Sequence, residues 1–144
     1  MADLMMLGYN VSRFETSLQP EIIHFNGESE KGLAVKCDAH IPSDGKHCVL
    51  RIQISIAGYN PSEKPIEERT PFVVADGEFL FNFESSEALD DSAMEASVKT
   101  TGLQVAVPVL RGILVGIANI LNLPPVFSFP PFGPEDIEWD EENK

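Results

Sequence analysis

The sequence is dominated by one apolar run, residues 103–123, in which Arg111 is the only charged residue. Apolar side chains recur along it at steps of four and three, which places them on one face of an α-helix. This first stripe comprises Leu103, Val107, Leu110, Leu114, Ile117 and Leu121. A second stripe on another side comprises Val109, Ile113, Gly116 and Ile120. Because a helix that is apolar all round must be covered all round, we predict that the first stripe packs on the chain's own sheet and the second forms an oligomer interface.

Two other interpretations of this run are a membrane-spanning helix and a helix buried within one domain. A span needs about 20 apolar residues with few charges, and the run has nearly that length. However, Pro108, Arg111 and Asn119 lie inside it, and an Arg at the bilayer centre costs at least about 2.5 kcal/mol on insertion scales. We therefore expect no membrane insertion. One small sheet can hardly cover both stripes, so we expect a homodimer or homotetramer.

The residues before the run read as strands. Segments 33–41 and 48–56 alternate apolar and polar side chains, as half-buried strands do, and turn-forming residues separate them. Segments 4–18 and 78–83 predict two more strands, with a β-bulge near Arg13 and Phe14 where the alternation changes phase. The predicted fold class is α+β, a four-stranded antiparallel β-meander packed on one long α-helix.

The C-terminal part has a different composition. Segment 124–132 contains four prolines, which exclude a helix and a central strand. Residues 135–144 are mostly acidic, and we predict that they form a mobile tail. The preceding residues, 1–134, form a single domain, because 144 residues suffice for one core.

Charge and cysteine content narrow the class of protein. A formal net charge of −13 makes nucleic-acid binding unfavourable. The N-terminus has no basic region followed by an apolar core, so we expect no secretory signal and a cytoplasmic location. The strand alternation pairs Cys37 with Ile52, which puts the sulfurs of Cys37 and Cys48 about four positions out of register and beyond disulfide reach.

Motifs that carry chemistry are missing from the sequence. Gly112 and Gly116 lie within the helix, and no phosphate-binding Lys follows them. His40 and His47 could approach across a hairpin, but two imidazoles without a third ligand make a poor metal site. Arg111 can bind an anion, although an interface contact with carboxylates or carbonyls suits it better. We therefore predict no enzyme activity, no cofactor and no metal.

Aromatic side chains near the C-terminus have no obvious place in the core. The segment that carries Phe127 and Phe129 either covers the helix as part of the core or forms one wall of an open apolar groove. The floor of that groove would contain Phe72, Phe79 and Phe81. Open apolar grooves bind extended segments of other chains.

Four short motifs carry a resemblance to a known family. They are Tyr9-Asn-Val-Ser-Arg13, Cys48-Val-Leu-Arg-Ile-Gln-Ile-Ser-Ile56, Pro108-Val-Leu-Arg111 and Asn122-Leu-Pro-Pro-Val126. They are similar to F-Q-I-Q-R, V-V-L-R-V-T-V-T, P-Y-A-R and N-L-A-P-V-N-F of SecB, the preprotein-export chaperone, and its SecB-like relatives. The order of elements agrees from about residue 4 to residue 129. The chain therefore resembles the SecB family.

This resemblance implies a fold, an assembly and an activity. The family has a four-stranded antiparallel sheet backed by the long helix, and its subunits form dimers and dimers of dimers with the helices between the sheets. Its members hold unfolded chains in apolar grooves without ATP. The family's groove positions correspond here to Phe72, Val74, Cys37, Ala39, Leu121, Leu123 and Val126.

The chain also departs from the family pattern. An acidic residue of the family helps to dock the SecA motor, and the matching position is close to Ala75, although Asp76 and Glu78 are neighbours. The family's second C-terminal helix is replaced by segment 124–132 and the acidic tail. SecA as a partner is therefore left open. We predict a SecB-like holdase for unfolded or preprotein polypeptide, with protein export as one setting. The alternative is an adaptor or antitoxin-type binding protein dedicated to one folded or partly folded partner, without SecA delivery.

Overall fold

The computed structural model describes residues 3–18, 30–60, 63–120 and 137–139. Five strands and two α-helices follow in chain order: β1 (Leu4–Leu18), β2 (Glu30–His40), β3 (His47–Tyr59), β4 (Val73–Ser85), α1 (Asp91–Ser97), α2 (Leu103–Ile120) and β5 (Glu138–Trp139). A 3-10 turn, Ile66–Glu68, lies between β3 and β4, and a π-helical segment, Val98–Gly102, joins α1 to α2. The α+β class with one long helix on a sheet is confirmed.

The sheet is mixed and has the order β1-β4-β3-β2-β5. Strands β2, β3 and β4 form the predicted antiparallel meander. The prediction is wrong for β1, which pairs with β4 in a Greek-key arrangement and not with β2. Residues 19–29 separate β1 from β2, a connection too long to force the tight hairpin that a meander needs. A fifth strand, β5, adds to β2 in parallel orientation.

One face of the sheet, here called the inner face, packs under the helix and holds the core. Every second residue of β4 from Val73 to Ser85 is buried on this face. The predicted hairpin register is confirmed, since Cys37 lies opposite Ile52. Helix α2 contributes Leu103, Val107, Leu110 and Leu114 of the predicted first stripe to the same core, together with Ala106. Ile117 is half-buried against it, and Leu121 lies outside the described residues. The opposite face of the sheet is called the outer face.

The helix begins earlier than the apolar run. The Asp90 side chain accepts a hydrogen bond of 2.7 Å from the backbone N–H of Ala93, which satisfies one of the free donors at the start of α1. The helical path then continues from Asp91 to Ile120. In the β2–β3 turn, Gly45 adopts a φ of 74°, as turn chemistry predicts.

Much of the long helix is open to its surroundings. Its most apolar window of 18 residues has a mean hydropathy of 1.7, and 28% of that window is buried. By length and composition alone it passes for a membrane-spanning helix, a test that the core helices of soluble proteins also pass. The exposed side of α2 must therefore be explained by what covers it.

Candidate functional site

Strand β1 carries an apolar strip that the helix leaves uncovered. Tyr9 lies opposite Phe81 and Val11 opposite Phe79, so both side chains are on the inner face. The two Phe rings are fully buried, whereas Tyr9 is 51% and Val11 44% exposed. Leu7 is exposed as well, and Met5 is exposed on the opposite face of the sheet, since it lies opposite Glu84. Leu7, Tyr9 and Val11 are called the β1 strip. They lie on an edge strand of the described sheet, so the backbone groups on its free side are open to pairing.

The alternation of inner-face and outer-face side chains along β1 is interrupted at two places. Its register against β4 shifts between Met6 and Gly8 and again between Val11 and Arg13. The single bulge predicted near Arg13 and Phe14 is found around Ser12, and a second bulge lies at Leu7. Because of the bulge around Ser12, Val11 and Phe14 both lie on the inner face despite their odd spacing.

Helix α2 exposes a second apolar surface. Val105, Val115 and Ile120 are exposed, and Ile120 is the most open at 84%. A Cβ atom added to Gly112 or Gly116 would meet nothing within 4 Å, so another helix could approach closely there. These five residues are called the exposed helix face.

The predicted oligomer stripe lies on one flank of that face. Ile120 is exposed and Gly116 half-buried with open space above it. Val109 and Ile113 are half-buried and pack against the core. The most open part of the helix surface lies near Val105 and Gly112 and not at the centre of the predicted stripe. The reason is that the sheet-facing side of the helix includes Ala106 and so extends toward Val109 and Ile113.

The edge strand β2 holds an extended segment from the C-terminal part. Glu138 pairs with Lys36 and Trp139 with Cys37. Ile137, next to this pair, is 7% exposed and belongs to the core cluster. Three residues of the segment predicted as a mobile tail thus lie in or beside a strand, because Ile137 and Trp139 find apolar surface at the sheet edge.

A lysine from the helix completes this arrangement. The Lys99 ammonium lies 5.2 Å from the centre of the Trp139 ring, a cation–π contact. The same ammonium lies 3.1 Å from a Glu95 carboxylate oxygen one helical turn away. The π-helical segment that contains Lys99 therefore faces β5.

On the outer face, polar side chains from different strands form a network of hydrogen bonds and ion pairs. Arg51 donates from Nε and Nη2 to the two carboxylate oxygens of Asp38, each at 2.7 Å. Its Nη1 donates to Glu78 at 3.4 Å, and Glu78 accepts a further bond of 3.1 Å from Ser12. These contacts join all four long strands, so they stabilise the sheet.

Histidine and the carboxylates near it stabilise a turn. His47 Nδ1 lies 2.6 Å from Asp44, and its Nε2 lies 3.7 Å from Glu84. Asp44 accepts backbone N–H bonds from Lys46 and His47, which together with the His47 ring lower the pKa of its carboxyl to about 2. His40 lies opposite Val49 and not beside His47. Within residues 3–18, 30–60, 63–120 and 137–139, no group of three metal-ligating side chains occurs.

Neither cysteine has the character of a nucleophile. Burial raises the pKa of the Cys37 thiol to about 12, and the charge of Asp38 adds to the effect. Burial alone raises the pKa of Cys48 to about 12. Both thiols are free and buried in the core, so they stay protonated and unreactive.

The residues predicted to line the groove are found in different parts of the molecule. Phe72, Phe79, Phe81 and Cys37 are buried in the closed core. They share one buried cluster with Leu103, Leu110 and Leu114 of α2, so they form the core instead of an open floor. Val74 lies on the outer face, while Ala39 is half-buried against the core. The other predicted groove residues, Leu121, Leu123, Val126, Phe127 and Phe129, lie outside the described residues.

Comparison with known proteins was made on sequence and on fold. No family model and no curated protein matches the sequence. Among solved structures, the Mycobacterium tuberculosis Rv1957 SecB-like chaperone, in complex with a ChAD peptide from the Rv1956 HigA1 antitoxin, superposes with a TM-score of 0.64. The match covers 85% of this chain and 86% of that chain at 17% identity. The chain has the SecB-like fold.

The SecB-like fold explains the sheet and the helix, but some surface residues were missed in the sequence. The exposure of Tyr9 and Val11 depends on how far the helix reaches across the sheet, which the pattern of β1 does not show. Nothing in the sequence marked Lys99. For Ile137 and Trp139 a signal existed, because two apolar residues spaced by two in an acidic segment are typical of a strand.

Proposed function

We propose that this chain is an ATP-independent SecB-like holdase that binds unfolded or preprotein polypeptide. The supporting observation is that the sheet accepts an extended segment at its β2 edge. Residues Ile137 and Trp139 pack their side chains on the inner face while Glu138 pairs with Lys36. In strand addition of this kind, backbone hydrogen bonds provide the affinity, and shallow apolar pockets allow many different sequences to bind. A client segment of many sequences could use the same edge.

The SecB-like neighbour supports the same class of partner. That protein was solved with an antitoxin peptide bound, so the fold can hold a peptide from another chain. For the present protein the partner is proposed to be unfolded or partly folded polypeptide.

A dedicated partner is the second candidate. The antitoxin peptide on the SecB-like neighbour favours it, because one specific segment can use a strand-addition site as well as many unrelated ones. Affinity purification from the source cell distinguishes the two functions. Recovery of one partner in fixed stoichiometry favours the adaptor, whereas a broad set of unfolded clients favours the holdase.

We further propose a homodimer or homotetramer, in which a second copy covers the exposed helix face and the β1 strip. Each chain carries a net charge of −13, so copies repel unless they meet through uncharged surfaces. Both surfaces meet this requirement, since they consist of apolar residues and glycines. Measurement of mass in solution tests this, and a monomer at micromolar concentration would overturn it.

Export, location and catalysis remain predictions. The position that matches the family's SecA-docking carboxylate is close to Ala75, which is buried on the inner face and offers no charge. Asp76 and Glu78 lie on the outer face, and Glu78 is already paired with Arg51. A contact with SecA would therefore depend on Asp76 and other outer-face carboxylates. We likewise propose a cytoplasmic location and the lack of enzymatic activity.

The holdase activity is tested by light scattering. A chemically denatured test protein is diluted into buffer without ATP, alone and with a several-fold excess of this chain. We expect the excess chain to suppress the rise in scattering. Bovine serum albumin at the same mass concentration serves as the control for non-specific crowding. Scattering equal to the albumin control would rule out the holdase function.

A further inference from the structure

We propose that residues 137–139, called the β5 segment, are an internal competitor that occupies the β2 edge and must leave before a client strand pairs there. The proposal rests on the holdase function, since it requires a client. It adds a regulatory contact within the chain and defines what kind of peptide the β2 edge accepts. That peptide is an extended segment with apolar or aromatic side chains two residues apart.

The fit of the β5 segment shows which side chains the β2 edge accepts. Trp139 lies opposite Cys37, a buried inner-face residue, so its side chain is also on the inner face. Ile137, two residues earlier, points to the same face by strand alternation and is 7% exposed. Both side chains pack against the core cluster. The edge therefore offers apolar contacts to positions i and i+2 of a strand.

Electrostatics favour this particular occupant. Glu138 lies opposite Lys36, and opposite charges on neighbouring strands attract. On the other face, Lys99 lies against the Trp139 ring. The chain is strongly acidic overall, so these two lysines are a local exception that suits an acidic segment carrying an aromatic side chain. Because Lys99 is paired with Glu95, Lys36 is the residue that would favour an acidic side chain in a client.

The pairing of the β5 segment with β2 is short within the described residues. It comprises two positions, whereas β3 pairs with the whole length of β2 from Glu30 to His40. The segment's advantage is covalent attachment, because a tethered segment competes at an effective concentration on the order of millimolar. A client must overcome this concentration, so its apparent affinity is reduced by the fraction of time in which the edge is free. Only strongly apolar, unfolded segments would succeed.

The wild-type chain contains the probe that this proposal needs. Trp139 is its only tryptophan, so intrinsic fluorescence reports on the β5 segment alone. A tryptophan-free unfolded protein labelled with fluorescein is titrated into the full chain, and binding is followed by fluorescein anisotropy. We expect the tryptophan emission to shift to longer wavelength and acrylamide quenching to increase in parallel with binding.

The two signals separate the two hypotheses. Client binding with an unchanged or blue-shifted tryptophan emission would overturn the competitor and leave the holdase function intact. The absence of any client binding would overturn both. Binding with a parallel red shift supports both, because the ring can lose its packing only when the segment leaves β2.

A substitution gives an independent measurement. Ile137→Ser removes the buried side chain of the β5 segment, and we expect a client Kd about tenfold lower if the segment is docked for about nine-tenths of the time. Leu80→Ser is the matched control, since Leu80 is a half-buried aliphatic residue on the outer face. It should leave the Kd unchanged. An unchanged or higher Kd for the Ile137 variant would overturn the proposal, and circular dichroism verifies that both variants are folded.

Discussion

Tyr9 and Phe81 face each other on adjacent strands with their ring centres 6.3 Å apart, yet half of Tyr9 is exposed and Phe81 is fully buried. The boundary of the covered inner face therefore runs between β1 and β4. Phe81 belongs to the core, whereas Tyr9 belongs to an exposed apolar surface of the described residues.

Substitutions at these two positions should affect different properties. Phe81→Ala should lower the free energy of unfolding by about 3–5 kcal/mol, because it opens a cavity in the core. Tyr9→Asp should change the stability of the monomer by about 1 kcal/mol or less, and it should weaken association by placing a charge in the β1 strip. Urea unfolding at low protein concentration and mass measurement at high concentration check both effects. A Tyr9 variant that associates like the wild type would show that the strip lies outside the interface.

Gly116→Leu tests the exposed helix face. The added side chain meets nothing within 4 Å in the single chain, and Leu in place of Gly in a helix favours folding by about 1 kcal/mol. We therefore expect the monomer to become more stable while helix-mediated association weakens, since the bulk keeps a partner helix away. Thermal unfolding and light-scattering mass check the two effects. Gln53→Leu, at an exposed position of β3 on the outer face, is the control. An unaltered oligomer mass for the Gly116 variant contradicts the interface.

The Asp44 carboxyl should make the protein less stable in acid. Its pKa is lowered from 3.8 to about 2 in the folded chain by backbone N–H bonds and His47. A lowered folded-state pKa contributes stability that is present above pH 3.8 and is lost as the pH falls toward about 2. The stability difference between the wild type and Asp44→Asn should therefore be constant near neutral pH and shrink through this window. Carbon-13 titration of the carboxyl gives the pKa directly, and a value near 3.8 would disprove the turn geometry.

The two thiols should be silent in the folded protein. Burial raises the pKa of Cys37 and of Cys48 from 9.0 to about 12. The folded state is therefore favoured below pH 9, and this contribution is lost as the pH rises toward 12, because unfolded thiols ionise first. At pH 8 a thiol reagent should label neither cysteine in buffer and both in concentrated guanidinium. Rapid labelling of one thiol in buffer would indicate that its strand opens readily.

The β2–β3 hairpin and helix α2 could be predicted because each is encoded by the spacing of apolar side chains within its own segment. The alternation in β2 and β3 gave the hairpin and the pairing of Cys37 with Ile52. The spacing of Leu103, Val107 and Leu110 gave the buried side of α2. Both patterns are local, and a period of two or 3.6 residues assigns a face without reference to the rest of the chain.

The position of β1 and the groove could not be predicted in the same way. Whether β1 pairs with β2 or β4 depends on contacts distant in sequence, and periodicity alone is equally compatible with both. Phe79 and Phe81 have the same appearance in a sequence whether they line an open groove or fill a core, because both environments require apolar side chains. The docking of Trp139 depends on Lys99 and Cys37, which lie far from it in the chain.

The unequal edges of the sheet limit how copies of this protein can assemble. A sheet with two open edges can pair with further copies without end, which leads to fibres. Among the described strands, β5 occupies the middle of the β2 edge, and β1 forms the other edge. Strand pairing between copies is then favoured at the β1 edge, and pairing of β1 with β1 is a two-fold arrangement that closes after two chains. An acidic C-terminal segment that blocks one edge thus protects a protein rich in exposed apolar surface from polymerising.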